Sequence, residues 1–254
     1  MLRFGARVGR AVLRLVDRGL ARRASAEAVG TALLVAVVVG SGIAAQRLSP
    51  GDTGLELLEN ALATGAGLVA LILAFGSVSG AHFNPVVTLA DRILGGTTTR
   101  DGCVYAVAQV VGACGGCVAA NVMFGVSAID VSHHARGSGA LWFSELVATF
   151  GLLIVIFGVV RAGRAALAPF AVGAYITAAY WFTSSTSFAN PAVTIGRTLS
   201  NTFAGIKPAS VPMFVVMQVA GGVLAVVAAR FWYPDLAADA VVVPHDAVEA
   251  VDAR

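Results

Sequence analysis

SFANPAVTIGR, at residues 187–197, places an Asn-Pro pair directly before a short apolar segment. A related stretch, GAHFNPVVTLADR, occupies residues 80–92. Asn is a strong N-cap residue, and Pro is favoured in the first helical turn, where its missing N–H costs nothing. We therefore predict that a helix begins at each pair. About ten residues follow each pair, or ~15 Å of helix, which is half the thickness of a bilayer core.

The composition around these motifs is that of a membrane protein. Of 254 residues, 57% are hydrophobic and 12% are charged, and the mean hydropathy is +0.83. A helix needs roughly 20 apolar residues to span a bilayer. The predicted spans cover about residues 25–46, 57–79, 103–126, 140–160, 167–183 and 211–232. We predict an all-α polytopic membrane protein with six transmembrane helices.

The two Asn-Pro motifs belong to a longer internal repeat. Glu27-Ala-Val-Gly-Thr31 matches Glu145-Leu-Val-Ala-Thr149, and Gln109-Val-Val-Gly112 matches Gln218-Val-Ala-Gly221. The repeat halves cover about 24–126 and 140–232, and each contains three spans and one Asn-Pro. An odd number of spans gives the halves opposite orientations, so two half-helices should meet near the membrane centre.

These motifs resemble the aquaporin and aquaglyceroporin family, the major intrinsic proteins. The resemblance rests on SGAHFNP with VVT, on ANPAVT, and on the paired Glu and Gln motifs, and it covers about residues 25–232. It implies six tilted helices plus two half-helices around one pore per protomer, in a homotetramer. It also implies a passive channel for small neutral solutes in a lipid bilayer, with no enzymatic activity, no cofactor or metal, and no nucleic-acid partner.

The resemblance gives the Asn-Pro motifs a role in the pore. Asn84 and Asn190 are expected to turn their amide donors toward the solute, where the positive ends of the half-helices oppose cations. The pore motifs are then Asn84, Pro85, Val86, Asn190, Pro191 and Ala192. Val86 replaces the usual Ala of the first motif, and we predict slight narrowing or local repacking there.

Several polar residues are expected to be buried inside the bundle. An acid within the membrane suggests a proton relay, but the resemblance implies that Glu27 and Glu145 instead accept hydrogen bonds from the Asn-Pro loops. His82 is expected to anchor its loop in preference to ligating an ion. The predicted buried structural residues are Glu27, Glu145, Gln109, Gln218 and His82.

The family's outer selectivity filter has four positions, which we locate by distance from the two Asn residues. They fall at Thr64, Ala178, Ser187 and Val193, with Thr177 and Phe188 as alternatives if the second-half register slips by one. At the last position the family nearly always has arginine, whereas this chain has valine. We expect a wide opening lined by Thr, Ala, Ser and Val that admits glycerol-sized solutes.

Arg197 offers another outcome, because it lies one helical turn beyond Val193 and could restore the filter charge, which would give a water-selective pore. The valine and the surrounding motif also resemble a bacterial aquaglyceroporin branch associated with arsenic resistance, which implies neutral arsenite as a solute.

A coupled secondary transporter would also use inverted repeats and broken helices. It would need ionisable groups at the midplane, and beyond Glu27 and Glu145 the sequence offers none.

The two ends of the chain differ in charge. Residues 1–23 carry an Arg every three or four positions, which predicts a basic amphipathic helix on the cytoplasmic membrane surface, or else a disordered tail. Residues 24–233 form the predicted channel domain, and residues 234–254 an acidic cytoplasmic tail. Basic residues gather on the side of the N-terminus, so we place both termini in the cytoplasm and the protein in the plasma or inner membrane.

Cys114 and Cys117 are one helical turn apart, a spacing that could hold a soft metal ion. Their neighbours are Gly and Ala, and such small residues favour close helix packing in lipid. We therefore favour a packing role for this stretch.

Overall fold

The computed structural model describes residues 2–233, with side chains from Arg18 onward. Within this range the chain forms eight α-helices: α1 (Leu2–Leu48), α2 (Thr53–Ser79), α3 (Pro85–Leu94), α4 (Thr99–Met123), α5 (Gly139–Arg161), α6 (Ala168–Phe182), α7 (Pro191–Gly196) and α8 (Val211–Trp232). Short 3₁₀ turns lie at Ala165–Leu167, Arg197–Leu199 and Pro208–Ser210.

Six of the described segments are long and apolar enough to cross a membrane, as the sequence predicted. They cover Arg18–Leu48, Thr53–Ser79, Thr99–Met123, Gly139–Arg161, Ala165–Phe182 and Pro208–Trp232. The first helix continues without interruption from Leu2, so no helix boundary coincides with residue 23. The predicted surface contacts of the N-terminal segment and the acidic tail at 234–254 lie outside the described side chains and residues.

The remaining helices, α3 and α7, are short and begin at the Asn-Pro pairs. The Asn84 side-chain oxygen accepts from Val86 N at 2.9 Å, and that of Asn190 accepts from Ala192 N at 3.0 Å. The helix α3 has ten residues and ends at a left-handed glycine, Gly95, with φ 96°. The second half-helix has six α-helical residues and continues as the 3₁₀ turn Arg197–Leu199, so its regular part is shorter than predicted.

Small residues allow the spans of each half to approach closely. A β-carbon on Gly112 of α4 would lie 2.1 Å from the Ala28 carbonyl oxygen of α1. In the second half, a β-carbon on Gly221 of α8 would lie 2.3 Å from the Leu146 carbonyl oxygen of α5. Both glycines come from the matching Gln-x-x-Gly motifs, which explains why these motifs end in the smallest residue.

Candidate pore and filter

The first Asn-Pro loop is held by Glu27 of α1. Its Oε1 accepts from Ser79 Oγ at 2.6 Å and from the His82 backbone N–H at 3.0 Å. Its Oε2 accepts from the Phe83 backbone N–H at 2.7 Å and from Gln109 Nε2 at 2.7 Å. The carboxylate is fully buried, and these four donors satisfy it inside the bundle.

The second loop repeats this arrangement around Glu145 of α5. Its Oε1 accepts from the Phe188 backbone N–H at 2.9 Å, and its Oε2 accepts from Ala189 N at 2.9 Å and Gln218 Nε2 at 2.6 Å. Gln218 also donates to Thr194 Oγ1 at 2.9 Å, as Gln109 does to its counterpart threonine in the first half. The structure thus places both acids as acceptors for the loops.

These bonds hold the loops in an unusual backbone conformation. Five residues that are not glycine have positive φ angles between 46° and 62°: Ala81, Phe83, Thr186, Ser187 and Ala189. Such left-handed conformations are uncommon for these residue types and persist where surrounding contacts impose them. Among the described residues no donor reaches the carbonyl oxygens of Ala81, His82, Ser187 and Phe188, and all four residues line one cavity.

The two half-helices meet through their capping residues. Asn84 Nδ2 donates to the Ala189 carbonyl oxygen at 2.7 Å, and Asn190 Nδ2 donates to the Phe83 carbonyl oxygen at 2.8 Å. Each amide group has a second N–H, and both side chains line the same cavity. Two helix N-termini with their positive dipole ends are therefore brought together at one point of this cavity.

The cavity has a volume of about 90 Å³ and extends from the α5–α6 turn to Arg197. The two Asn-Pro loops form part of its wall, and apolar side chains form most of the remainder: Leu34, Val38, Leu68, Ile72, Leu152, Ile156, Val172 and Ile176. A polar strip thus faces an apolar wall, an arrangement that suits small molecules carrying several hydroxyl groups on a carbon skeleton.

Three of the four predicted filter positions, Thr64, Ser187 and Val193, line this cavity. Ala178 is not among the lining residues, and its side chain is exposed on α6. The alternative Thr177 is also absent from the lining, because its hydroxyl donates to the Gly173 carbonyl oxygen at 2.8 Å.

Tyr180 lines the cavity where Ala178 was predicted to do so. The lining residues of α6 include Val172, Ile176 and Tyr180, which are spaced four apart and share one helix face. A residue two positions away points to nearly the opposite side. The Tyr180 hydroxyl lies 3.1 Å from Thr64 Oγ1, so these two lining residues form a hydrogen-bonded pair in the cavity wall.

Phe188 and Arg197, considered as filter substitutes, also line the cavity. Arg197 is 2% exposed, its guanidinium carbon lies 3.5 Å from the centre of the Phe188 ring, and its Nε donates to the Ala204 carbonyl oxygen. The guanidinium is therefore held between the Phe188 ring and the Ala204 carbonyl. The opening is not formed by Thr, Ala, Ser and Val alone, because Tyr180, Phe188 and Arg197 contribute to it.

Val86 and His82 differ in their relation to the cavity. Val86 is 1% exposed and is not among the lining residues; it packs against Gly222 of α8. Its side chain therefore points toward α8, where Gly222 leaves space for it. His82 is a lining residue, and its Nδ1 lies 3.0 Å from Thr88 Oγ1 on α3, a contact that anchors the loop to the half-helix.

Cys103, Cys114 and Cys117 are free thiols, and the described part of the chain has no group of three metal-ligating side chains. Cys117 is completely buried and joins the hydrophobic core.

Comparison with known proteins agrees with this geometry. Residues 14–189 match the family model described as "Major intrinsic protein". The chain is 50% identical to "Aquaglyceroporin AqpS" of Rhizobium meliloti over 84% of its own length and 90% of that protein. It is 30% identical to "Probable aquaporin AqpM" of Archaeoglobus fulgidus, over 81% and 94% of the two chains.

The fold is also similar to a solved structure, the aquaglyceroporin from Plasmodium falciparum. The TM-score is 0.67 at 22% identity, covering 85% of this chain and 98% of that chain. Family model, relatives and fold agree with the predicted resemblance. The chain therefore belongs to the major intrinsic protein family, whose members are membrane channels and not enzymes.

Proposed function

We propose that this protein is a passive channel for small uncharged solutes, with glycerol-like polyols and water as its substrates. The observation that supports this most directly is the pair of pore asparagines: Asn84 and Asn190 join the half-helices end to end, and both face the cavity. The similarity to a protein named aquaglyceroporin supports the same substrate class.

The lining explains how such a solute would pass. A hydroxyl oxygen accepts from the free amide N–H groups of Asn84 and Asn190, while the hydroxyl hydrogen is donated to an open loop carbonyl. The carbon skeleton lies against the apolar wall opposite. A cation or hydronium meets the positive ends of two half-helices at the same point, so charge is excluded while neutral solutes are exchanged between polar groups.

The outer filter in this proposal contains Thr64, Tyr180, Ser187, Val193 and Arg197. Valine at position 193 supplies no donor, and Arg197 supplies guanidinium N–H groups one turn further along. Arsenous acid at neutral pH is an uncharged, glycerol-sized molecule with several hydroxyl groups. The same donors and acceptors suit it, so neutral metalloid acids belong to the proposed substrate class.

A water-selective pore is the second candidate, because Arg197 lies within the filter and could narrow it. The two candidates differ in whether glycerol passes.

We also propose a homotetramer in the plasma or inner membrane with both termini cytoplasmic, which the family membership and the distribution of basic residues support.

Stopped-flow light scattering of proteoliposomes tests the proposal. Vesicles with the native chain should shrink in a glycerol gradient and then re-swell rapidly, whereas Val193→Arg should slow glycerol uptake more than water flow. Re-swelling should be equal with and without a Na⁺ or proton gradient, which a coupled transporter would not allow. Glycerol exclusion by the native chain with fast water flow would reduce the proposal to water alone.

A further inference from the structure

Arg136 lies in the segment between α4 and α5 that links the two repeat halves, outside the Asn-Pro, Glu and Gln motifs described above. Its Nε donates to the Gly205 carbonyl oxygen at 3.1 Å, and its Nη1 donates to the Ser185 carbonyl oxygen at 3.3 Å. Its guanidinium carbon also lies 4.9 Å from the centre of the Phe188 ring. This side chain therefore joins the linker to the second Asn-Pro loop at the outer filter.

The backbone of the linker is fixed to the end of the second half-helix. Asp130 N donates to the Leu199 carbonyl oxygen at 3.1 Å, and Ser132 N donates to the Thr198 carbonyl oxygen at 2.9 Å. Further along, the Arg136 backbone N–H donates to Ser210 Oγ at 3.0 Å. These bonds fix the linker backbone before Arg136 and at Arg136 itself, from which the side chain extends.

Phe188 contacts two guanidinium groups. The guanidinium carbons of Arg197 and Arg136 lie 3.5 Å and 4.9 Å from the ring centre, so they are at most 8.4 Å apart, the sum of these distances. The ion pair found among the described residues joins Arg23 and Asp101, on other elements. Neither filter arginine is therefore neutralised by a contacting carboxylate in the described part of the chain.

The charge of Glu145 acts on both arginines, but its two oxygens already accept from the loop backbone and Gln218. Burial lowers the pKa of Arg136 below its ordinary value, and the charge of Glu145 opposes this shift. Arginine nevertheless stays protonated in proteins. Two positive charges thus flank the Phe188 ring, which lines the cavity together with Arg197. Screening by solvent is weak between partly buried charges.

We propose that Arg136 is a selectivity-determining residue, which positions Phe188 and, together with Arg197, gives the pore mouth a double positive charge that excludes hydronium and other small cations. The proposal rests on the proposed channel function. It explains how a pore with valine at position 193 keeps a charged filter: two arginines from neighbouring segments flank the ring that lines it.

The test compares proton flux with glycerol flux in the same proteoliposomes. Proton uptake is followed with an internal pH dye under a potential set by K⁺ and valinomycin, and glycerol flux by light scattering. Their ratio cancels differences in the amount of folded protein. For Arg136→Gln we expect the ratio to rise about tenfold, since one of two nearby charges is lost. Arg136→Lys keeps the positive charge and should raise the ratio of proton flux to glycerol flux much less.

Arg47→Gln is the matched control, because Arg47 also donates to a carbonyl, that of Phe124, and also lies over an aromatic ring, but does so on the exposed end of α1. Its flux ratio should equal that of the native chain. The inference would be overturned if Arg136→Gln had the same ratio of proton flux to glycerol flux as the native chain. It would also be overturned if Arg136→Lys and Arg136→Gln raised that ratio equally. A native chain without glycerol flux would instead refute the proposed function.

Discussion

Gly222 leaves the space that Val86 fills: a β-carbon on Gly222 would lie 2.2 Å from Val86 Cγ1. We expect Gly222→Ala to lower stability by about 1–3 kcal/mol, the usual cost of overpacking a core. Adding Val86→Ala removes the clashing methyl groups and should recover most of the loss. The apparent melting temperature of detergent-solubilised protein measures both effects.

Gly115 provides the control for this experiment, because it lies in α4 and a β-carbon there would have no heavy atom within 4 Å. Gly115→Ala should leave the melting temperature unchanged or raise it slightly. If Gly222→Ala were as stable as Gly115→Ala, the contact between Val86 and Gly222 would not be the reason that valine is tolerated after the first Asn-Pro.

The parts of the site that the sequence predicted correctly depend on short-range rules. Asn-Pro begins a helix through its own capping and backbone geometry, and both half-helices start at the expected residue. The repeat also paired each acid with a glutamine in the matching position of the other half, and both pairs are hydrogen-bonded. Local rules and internal symmetry were sufficient for these features.

The features that the sequence missed depend on helix rotation and on contacts between distant segments. Counting residues back from Asn190 gave Ala178. The count assumes that α6 ends at the family's usual position and that the second Asn-Pro loop has the family's usual length. The four-residue spacing of Val172, Ile176 and Tyr180 was the available signal for the correct face. Arg136 belongs to no motif, and its contacts with Ser185 and Gly205 span 49 and 69 residues.

Glu145 gives a second prediction, because its carboxylate accepts from two backbone N–H groups. Glu145→Gln replaces one carboxylate oxygen by an amide NH₂ group. That group would face an N–H donor of the loop backbone or of Gln218. We expect a loss of about 1–3 kcal/mol, the cost of leaving a buried polar group unsatisfied. Thermal unfolding should show a lower melting temperature than for Glu56→Gln, since Glu56 is buried at the start of α2 without a hydrogen bond to a described side chain.

The same variants separate the anchoring role from a proton relay. Glycerol flux of the native chain should be equal at pH 6 and pH 8. A native flux that changes with pH, and a Glu145→Gln variant that is stable but no longer responds to pH, would favour the relay.

Asn190 gives a third prediction. Asn190→Ala removes the cap of α7 and the amide donor in the cavity. We expect glycerol flux per folded protein to fall about fivefold, the factor that corresponds to a hydrogen bond of ~1 kcal/mol. Asn121→Ala is the control, because Asn121 also donates to two carbonyls, those of Ala128 and Leu199, but does not line the cavity. A loss of stability with native flux is expected there, and equal flux losses would argue against a solute contact at Asn190.

The last prediction decides which residue of α6 belongs to the filter. Tyr180 lines the cavity and is hydrogen-bonded to Thr64, whereas Ala178 is exposed on the outer face of the helix. We expect Tyr180→Ala to increase the flux of a four-carbon polyol relative to glycerol, because it removes an aromatic ring from the opening. Ala178→Phe adds a ring of similar size on the outer face and should leave both fluxes unchanged. Loss of glycerol flux in a folded Ala178→Phe variant, with no widening in Tyr180→Ala, would place Ala178 in the filter after all and would require α6 to be rotated by about half a turn.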